Sequence, residues 1–282
     1  MFSPPYLSFV DYLVIGHLTQ DLSPKGPRLG GTAAYAALTA NALGLKVGIV
    51  TSWGEEISPG PLSDIPIVNY PSEQSTTFEN IPTPEGRIQK IHSLAEKLDL
   101  FQIPEVWRNP SIVHIGPVAQ EVEPGILRYF TNSFIGVTPQ GWLRNWDEYG
   151  QVYPSEWPEA SFVLENAAAA VLSNDDIDND ETRIEELASY CRVLVITEGI
   201  EGVRVYWHGD VRRFHPLPAE LMDDTGAGDI FSAAFFVRLF NTRDPWEAAR
   251  FATQLASHSV TRFGLDSIPT PQEIEECIIE VL

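Results

Sequence analysis

The apolar positions of the chain fall into short continuous runs separated by helical patterns. Tyr12-Leu13-Val14-Ile15 ends at Gly16 and reads as a strand buried on both faces. A loop leads to Gly30-Gly31, and an alanine-rich stretch predicts a helix over 32–43 that stops at Gly44. A further strand is expected over 45–51, giving a strand–helix–strand unit with a right-handed crossover. Between Gly54 and Ser93 the pattern changes: prolines recur and helical periodicity is absent. Strands are expected there over 65–69, 75–80 and 87–92, with Thr83-Pro84-Glu85-Gly86 as a turn. The polar composition predicts a small β appendage, separate from the main sheet, that covers a site.

The α/β rhythm then resumes, with strands over 112–116, 135–138, 168–172 and 193–197 and helices over 124–132 and 181–191. Residues 139–158 read as irregular. Val203-Arg204-Val205-Tyr206-Trp207 alternates with period two, and Gly209-Asp210 suits a tight turn into a strand over 211–214. An antiparallel pair is therefore expected on one edge of an otherwise parallel sheet. The C-terminal third is helical, with starts at Ile230, at Asp244-Pro245 and at the capping box Thr270-Pro271-Gln272-Glu273. No repeat or interdomain linker interrupts the pattern, which predicts one domain over 1–282 with a β lid inserted at about 55–93.

Composition narrows the function. With 44% apolar residues in 282, the chain can fill a large core. A net charge of −21 argues against nucleic acid or an anionic membrane as partner, while leaving room for a local anion site. Cys191 and Cys277 lack metal-ligand spacing and read as buried apolar fillers. The six histidines are scattered, so a metal centred on them is not expected. The start lacks a basic signal-peptide region and no run is long enough to span a membrane, which predicts a soluble, cytoplasmic protein.

Candidate chemistry concentrates in glycine-containing turns. Asp223-Asp224-Thr225-Gly226-Ala227-Gly228-Asp229 opens onto the apolar run from Ile230. A helix start presents unpaired N–H groups that can hold an anion, and a carboxylate beside a bound phosphate can accept a proton. Spacing alone fits equally a capped core helix with a dipole-favoured acid in its first turn. Gly30-Gly31 and Thr197-Glu198-Gly199-Ile200-Glu201-Gly202 occupy similar strand-end positions, where open α/β sheets bind ligands. Phosphate-loop, zinc-protease, nucleophile-elbow and dinucleotide motifs are absent from the sequence.

These passages, together with Gly16 to Asp21, resemble the ribokinase-like (phosphofructokinase-B-like) family of small-molecule kinases. The resemblance implies a three-layer α/β/α sandwich with a β lid. It implies transfer of the ATP γ-phosphate to a hydroxyl of a sugar, polyol or nucleoside, with magnesium and, in many members, a monovalent cation such as K+. Asp229 matches the catalytic base, and the amides of Gly226, Ala227 and Gly228 match the anion hole. Asp21, Gly30 and Gly31 match substrate-binding positions. Thr197, Gly199 and Gly202 fall in the turn that contacts nucleotide phosphates. Asp223 matches the acid near the monovalent cation, and Ser173-Asn174-Asp175-Asp176 is a degenerate form of the segment that organises magnesium, with Asp176 in the acidic position. Tyr35 replaces the Asn with which ribokinases contact substrate, which moves the expected acceptor away from ribose and towards an inositol-like polyol. Asp224 replaces a small residue and has no evident role. Glu121 could face substrate or be a solvated surface acid, and Arg144, near Gln140 and Trp142, could pair with substrate or phosphate or form a structural ion pair. Two other readings stay open: a nucleoside kinase with Tyr35 or Trp53 stacking on a base, and a silent ligand-binding or regulatory protein. The lid further suggests a homodimer.

Overall fold

Fifteen short strands and six helices alternate through the residues that the computed structural model describes, 7–24, 26–83 and 86–278. The strands of the first half are β1 (Tyr12–Ile15), β2 (Thr19–Leu22), β3 (Arg28–Gly30), β4 (Val47–Trp53), β5 (Ile67–Pro71), β6 (Thr76–Thr83), β7 (Gly86–Ser93) and β8 (Ile112–Ile115). Those of the second half are β9 (Phe134–Val137), β10 (Arg144–Trp146), β11 (Val152–Pro154), β12 (Ala169–Ser173), β13 (Val193–Thr197), β14 (Val203–Trp207) and β15 (Asp210–Phe214). The helices are α1 (Thr32–Ala42), α2 (Ala160–Asn166), α3 (Glu181–Tyr190), α4 (Ala227–Thr242), α5 (Pro245–Ser259) and α6 (Pro271–Ile278).

Among the described residues, nine strands form one sheet in the order β15-β14-β13-β12-β9-β8-β1-β4-β5. All its pairings are parallel except β13 with β14 and β14 with β15, so the expected antiparallel edge is present. The edge hairpin turns at His208-Gly209, one residue earlier than expected, with both residues at positive φ (53° and 80°) as a type I′ turn requires.

Successive side chains of a strand point to opposite faces, and the buried strands are apolar on both. Val193 and Val195 therefore join one core with the small face of α1 (Ala33, Ala37, Ala40), the aromatics of α4 and Phe251 of α5. Leu194 and Ile196 join the other, with Trp107, Phe130, Trp142, α2 and α3. This is the three-layer sandwich expected. The 124–132 segment forms only a 3-10 turn, Pro124–Tyr129, and α2 arises within a region with no strong periodicity.

The lid differs from its expected composition. The strand expected over 65–69 is β5, which pairs in parallel with β4 and extends the main sheet. The second sheet, ordered β3-β2-β6-β7, combines β6 and β7 with two strands that precede α1. Period-two alternation places Thr19 and Asp21 of β2, and Phe78 and Asn80 of β6, on the side that lines the central cleft. The turn residues Pro84 and Glu85 lie outside the described residues. No helix of the described residues is long and apolar enough to cross a membrane.

Candidate active site

A cleft of about 720 Å³ runs beneath the lid and along the carboxyl ends of the central strands. It brings together segments that are far apart in sequence. Asp21, Gly31 and Tyr35 line it from one side, Ser173, Asp175 and Asp176 from another, and Thr197, Gly199 and Gly202 from a third. Gly226, Ala227, Gly228 and Asp229 form its floor.

Asp229 stands in the first turn of α4, where the helix dipole favours an acid. Gly226, the residue before the helix, has φ 80° and an ideal Cβ there would run into the Tyr35 ring, so only glycine fits. Ala227 N–H bonds the Asp224 carbonyl at 3.1 Å and closes the turn. That amide is engaged, so the amides of Gly228 and Asp229, which lack intrahelical acceptors, are the first-turn donors left for an anion. Asp224 thus contributes its backbone to the turn while its exposed side chain lines the cleft. Burial pushes the Asp229 carboxyl up to about 6. The Thr32 hydroxyl, donating to Oδ1 at 2.7 Å, and Arg144 oppose that rise, whereas Asp21 and Asp176 add to it.

Asp21 accepts a hydrogen bond from Thr19 Oγ1 at 2.9 Å, and the missing Cβ of Gly30 makes room for its carboxylate. Gly31 (φ 86°) lets the chain pass the His17 carbonyl, which an added Cβ would meet at 2.6 Å. Tyr35 is only 2% exposed and its ring packs under Gly226, supporting the turn. Burial and the charges of Asp21, Asp229 and Asp223 all raise its pKa, so it remains a neutral phenol. Trp53 is not among the residues that line the cleft.

Asp176 is the third residue of a capping box on a 3-10 turn, Asn174–Ile177. Its Oδ2 accepts from Ser173 N–H at 3.0 Å, and its Oδ1 accepts from Gln140 Nε2 at 3.2 Å with Arg144 Nη2 at 3.7 Å. Magnesium usually retains waters and binds one or two carboxylates together with phosphates, and Asp175 and Asp176 at the cleft wall suit that loose form of binding. Asp223 is different. Burial opposes its ionisation, but hydrogen bonds from Thr225 N–H and Gly264 N–H, both at 3.0 Å, and Arg28 at 3.9 Å hold its pKa below the usual range. Each of its oxygens accepts one of those N–H bonds, which fixes the turn ahead of α4.

Several cleft residues had no sequence signal. Asn80 and Gln89 of the lid bond each other at 3.0 Å and line the cleft with Gln140, while Arg144, a candidate from sequence, lines it as well. Beyond the Thr197–Gly202 turn, Leu217, Leu221, Thr253, Ala256 and Val260 line a largely apolar extension. Thr32 is a plain first-turn residue in sequence and meets Asp229 only in the fold. Glu121 is neither a substrate contact nor a surface acid. It is 2% exposed, and its carboxylate accepts N–H bonds from His17, Val118 and Ala119, tying the loop after β1 to the loop after β8. Cys277 is buried and Cys191 half-buried, and burial pushes their thiols up to about 11 and about 12.

Known proteins match this architecture. Residues 151–273 match the family model described as pfkB family carbohydrate kinase. The chain is 27% identical over 277 residues to a cytidine kinase of Thermococcus kodakarensis, covering 90% of this chain and 98% of that one. It is 25% identical to an inositol 3-kinase of Oryza sativa subsp. japonica, over 92% of this chain and 70% of the relative. Among solved structures, a pyrophosphate-dependent kinase of the ribokinase family, complexed with a pyrophosphate analog and myo-inositol, superposes with a TM-score of 0.79 at 21% identity. That match covers 95% of this chain and all of the other. The fold, the family match over the segment that carries Asp229, and relatives aligned along most of the chain agree: the chain is similar to the ribokinase-like, phosphofructokinase-B-like carbohydrate kinases.

Proposed function

We propose that the protein transfers the γ-phosphoryl group of ATP to a hydroxyl of a small cyclic polyol or sugar, with Asp229 as the base. The observation that carries this reading is Asp229 itself. Its carboxyl has a pKa near 6, stands at a helix start with unpaired amides, and shares a cleft with Asp21. Asp21, held by Thr19, orients the acceptor through its hydroxyls. Asp229 takes the proton of the attacking hydroxyl, while the Gly228 and Asp229 amides face the charge that develops on the transferred group. Magnesium, carried with the phosphates near Asp175 and Asp176, would neutralise charge on the donor. The lid excludes water from the transfer.

The acceptor side is ringed by Asp21, Asn80, Gln89, Gln140 and Arg144, all able to bond hydroxyls. Its aromatics offer no open face: Phe78 is 5% exposed and Tyr35 2%. That favours a polyol, as in the inositol 3-kinase relative, over a stacked nucleobase, as in the cytidine kinase relative. The apolar extension by Leu217, Leu221 and Val260 suits an adenine base and favours ATP over pyrophosphate as donor.

An acceptor panel of inositols, hexoses, pentoses and cytidine, assayed with ATP and with pyrophosphate, tests the reading. Transfer from ATP to a polyol is expected, with Asp229→Asn reducing kcat by about 10³-fold or more. Because the base must be ionised, kcat/KM should climb with pH through a midpoint near 6. Near-normal turnover in Asp229→Asn would remove the assignment.

A further inference from the structure

We propose that Thr32 is a positioning residue that aims Asp229 at the acceptor and holds down its basicity. The proposal deepens the kinase reading and rests on Asp229 being its base.

Thr32 is the first residue of α1 and is 3% exposed, while Asp229 lies 197 positions away in the first turn of α4. The Thr32 hydroxyl donates to Asp229 Oδ1 at 2.7 Å. A β-branched side chain in a helix has few χ1 rotamers, and here the methyl group is also hemmed in. Cγ2 lies so close to Gly116 that a Cβ added there would come within 2.6 Å of it. The methyl contact leaves the hydroxyl aimed at the carboxylate. With Oδ1 occupied, Oδ2 is the oxygen that receives the acceptor proton. As the acceptor oxygen–phosphorus bond forms, that proton moves to Oδ2, and the electron pair of the breaking phosphorus–oxygen bond leaves with ADP.

The hydrogen bond also has an electrostatic consequence. A donor to the charged form of a carboxylate lowers its pKa. The charged groups acting on Asp229 come from every side of the cleft. Arg144 of β10 favours the ionised form, whereas Asp21 of β2 and Asp176 of the Asn174–Ile177 turn oppose it. Tyr35, one turn along α1 from Thr32, remains a neutral phenol and contributes no charge. Removing the Thr32 donor leaves burial and the two acids opposed by Arg144 and the start of α4.

The test compares wild type, Thr32→Val, which keeps the shape and the methyl contact, and Thr32→Ser, which keeps the hydroxyl. The Asp229 carboxyl carbon is followed by NMR against pH, with Asp229→Asn providing the assignment, alongside pH profiles of kcat/KM. The expected wild-type midpoint is about 6. Thr32→Val should raise both the carboxyl midpoint and the acidic limb by about one pH unit, and its loss of activity should shrink as pH rises. Thr32→Ser should restore the wild-type midpoint. Midpoints unmoved in a folded Thr32→Val protein, or Thr32→Ser behaving as Thr32→Val, would overturn the proposal. A raised carboxyl midpoint in a protein that phosphorylates no acceptor would uphold the Thr32 hydrogen bond and end the kinase reading instead.

Discussion

Glu121 carries a formal charge in sequence and disappears into the fold. Three backbone N–H groups, from His17, Val118 and Ala119, converge on its carboxylate. The His17 partner lies 104 positions away, so local sequence could not reveal that the acid would be satisfied by amides. Removing it by Glu121→Ala leaves those buried donors unpaired and should destabilise the protein by about 3 kcal/mol in urea unfolding. Thr32 was hidden for the same reason, since its partner is distant in the chain. Asp229 was readable because its chemistry is local: turn, glycines, acid and helix follow one another within a few residues. Thr197 shares that property, ending a strand two residues before a glycine, whereas Asp21 was named only through the family resemblance and meets Gly30 in the fold. Tyr35 was visible as a departure, but its orientation under Gly226 depends on α1 packing against α4.

The elements that sequence marked clearly are those whose periodicity is set by one environment. β1, β13 and the β14–β15 hairpin lie close to where the pattern puts them, as do α1, α4 and α5. The lid did not read correctly because its sheet is assembled from two separated segments. β2 and β3 are four and three residues long, too short for alternation to show, and they precede α1. β5 has no strong pattern because an edge strand of the main sheet is half-buried, with burial falling away towards Pro71. One close approach of helix and sheet lies between α4 and β9. At Gly136 the Phe236 ring occupies the space of a side chain, and an added Cβ would lie 2.5 Å from it. Gly136→Ala must displace that ring or bend the strand, and should lower stability by about 1–3 kcal/mol, measured by thermal or urea unfolding.

At the scale of the whole molecule, two cores share one sheet and the cleft lies where that sheet's carboxyl ends meet the lid. The net charge of −21 surrounds a site proposed to take a polyanionic donor, so the long-range field opposes encounter while the helix start attracts at short range. Screening weakens only the former. Raising ionic strength with tetramethylammonium chloride from low salt to about 0.15 M should lower KM for ATP by about 2–3-fold and leave KM for a neutral acceptor unchanged. Composition argued against nucleic acid and anionic membranes as partners, and the motif ahead of α4 already suggested a local anion site; the fold adds which segments of the chain share the cleft with it. One junction joins these scales. Gly30 ends a lid strand, Thr32 begins the helix that touches Asp229, and a single residue, Gly31, lies between them. The cover of the cleft and the side chain that touches Asp229 are therefore covalently one residue apart, so an insertion at Gly31 should disturb both β3 and the Thr32–Asp229 hydrogen bond.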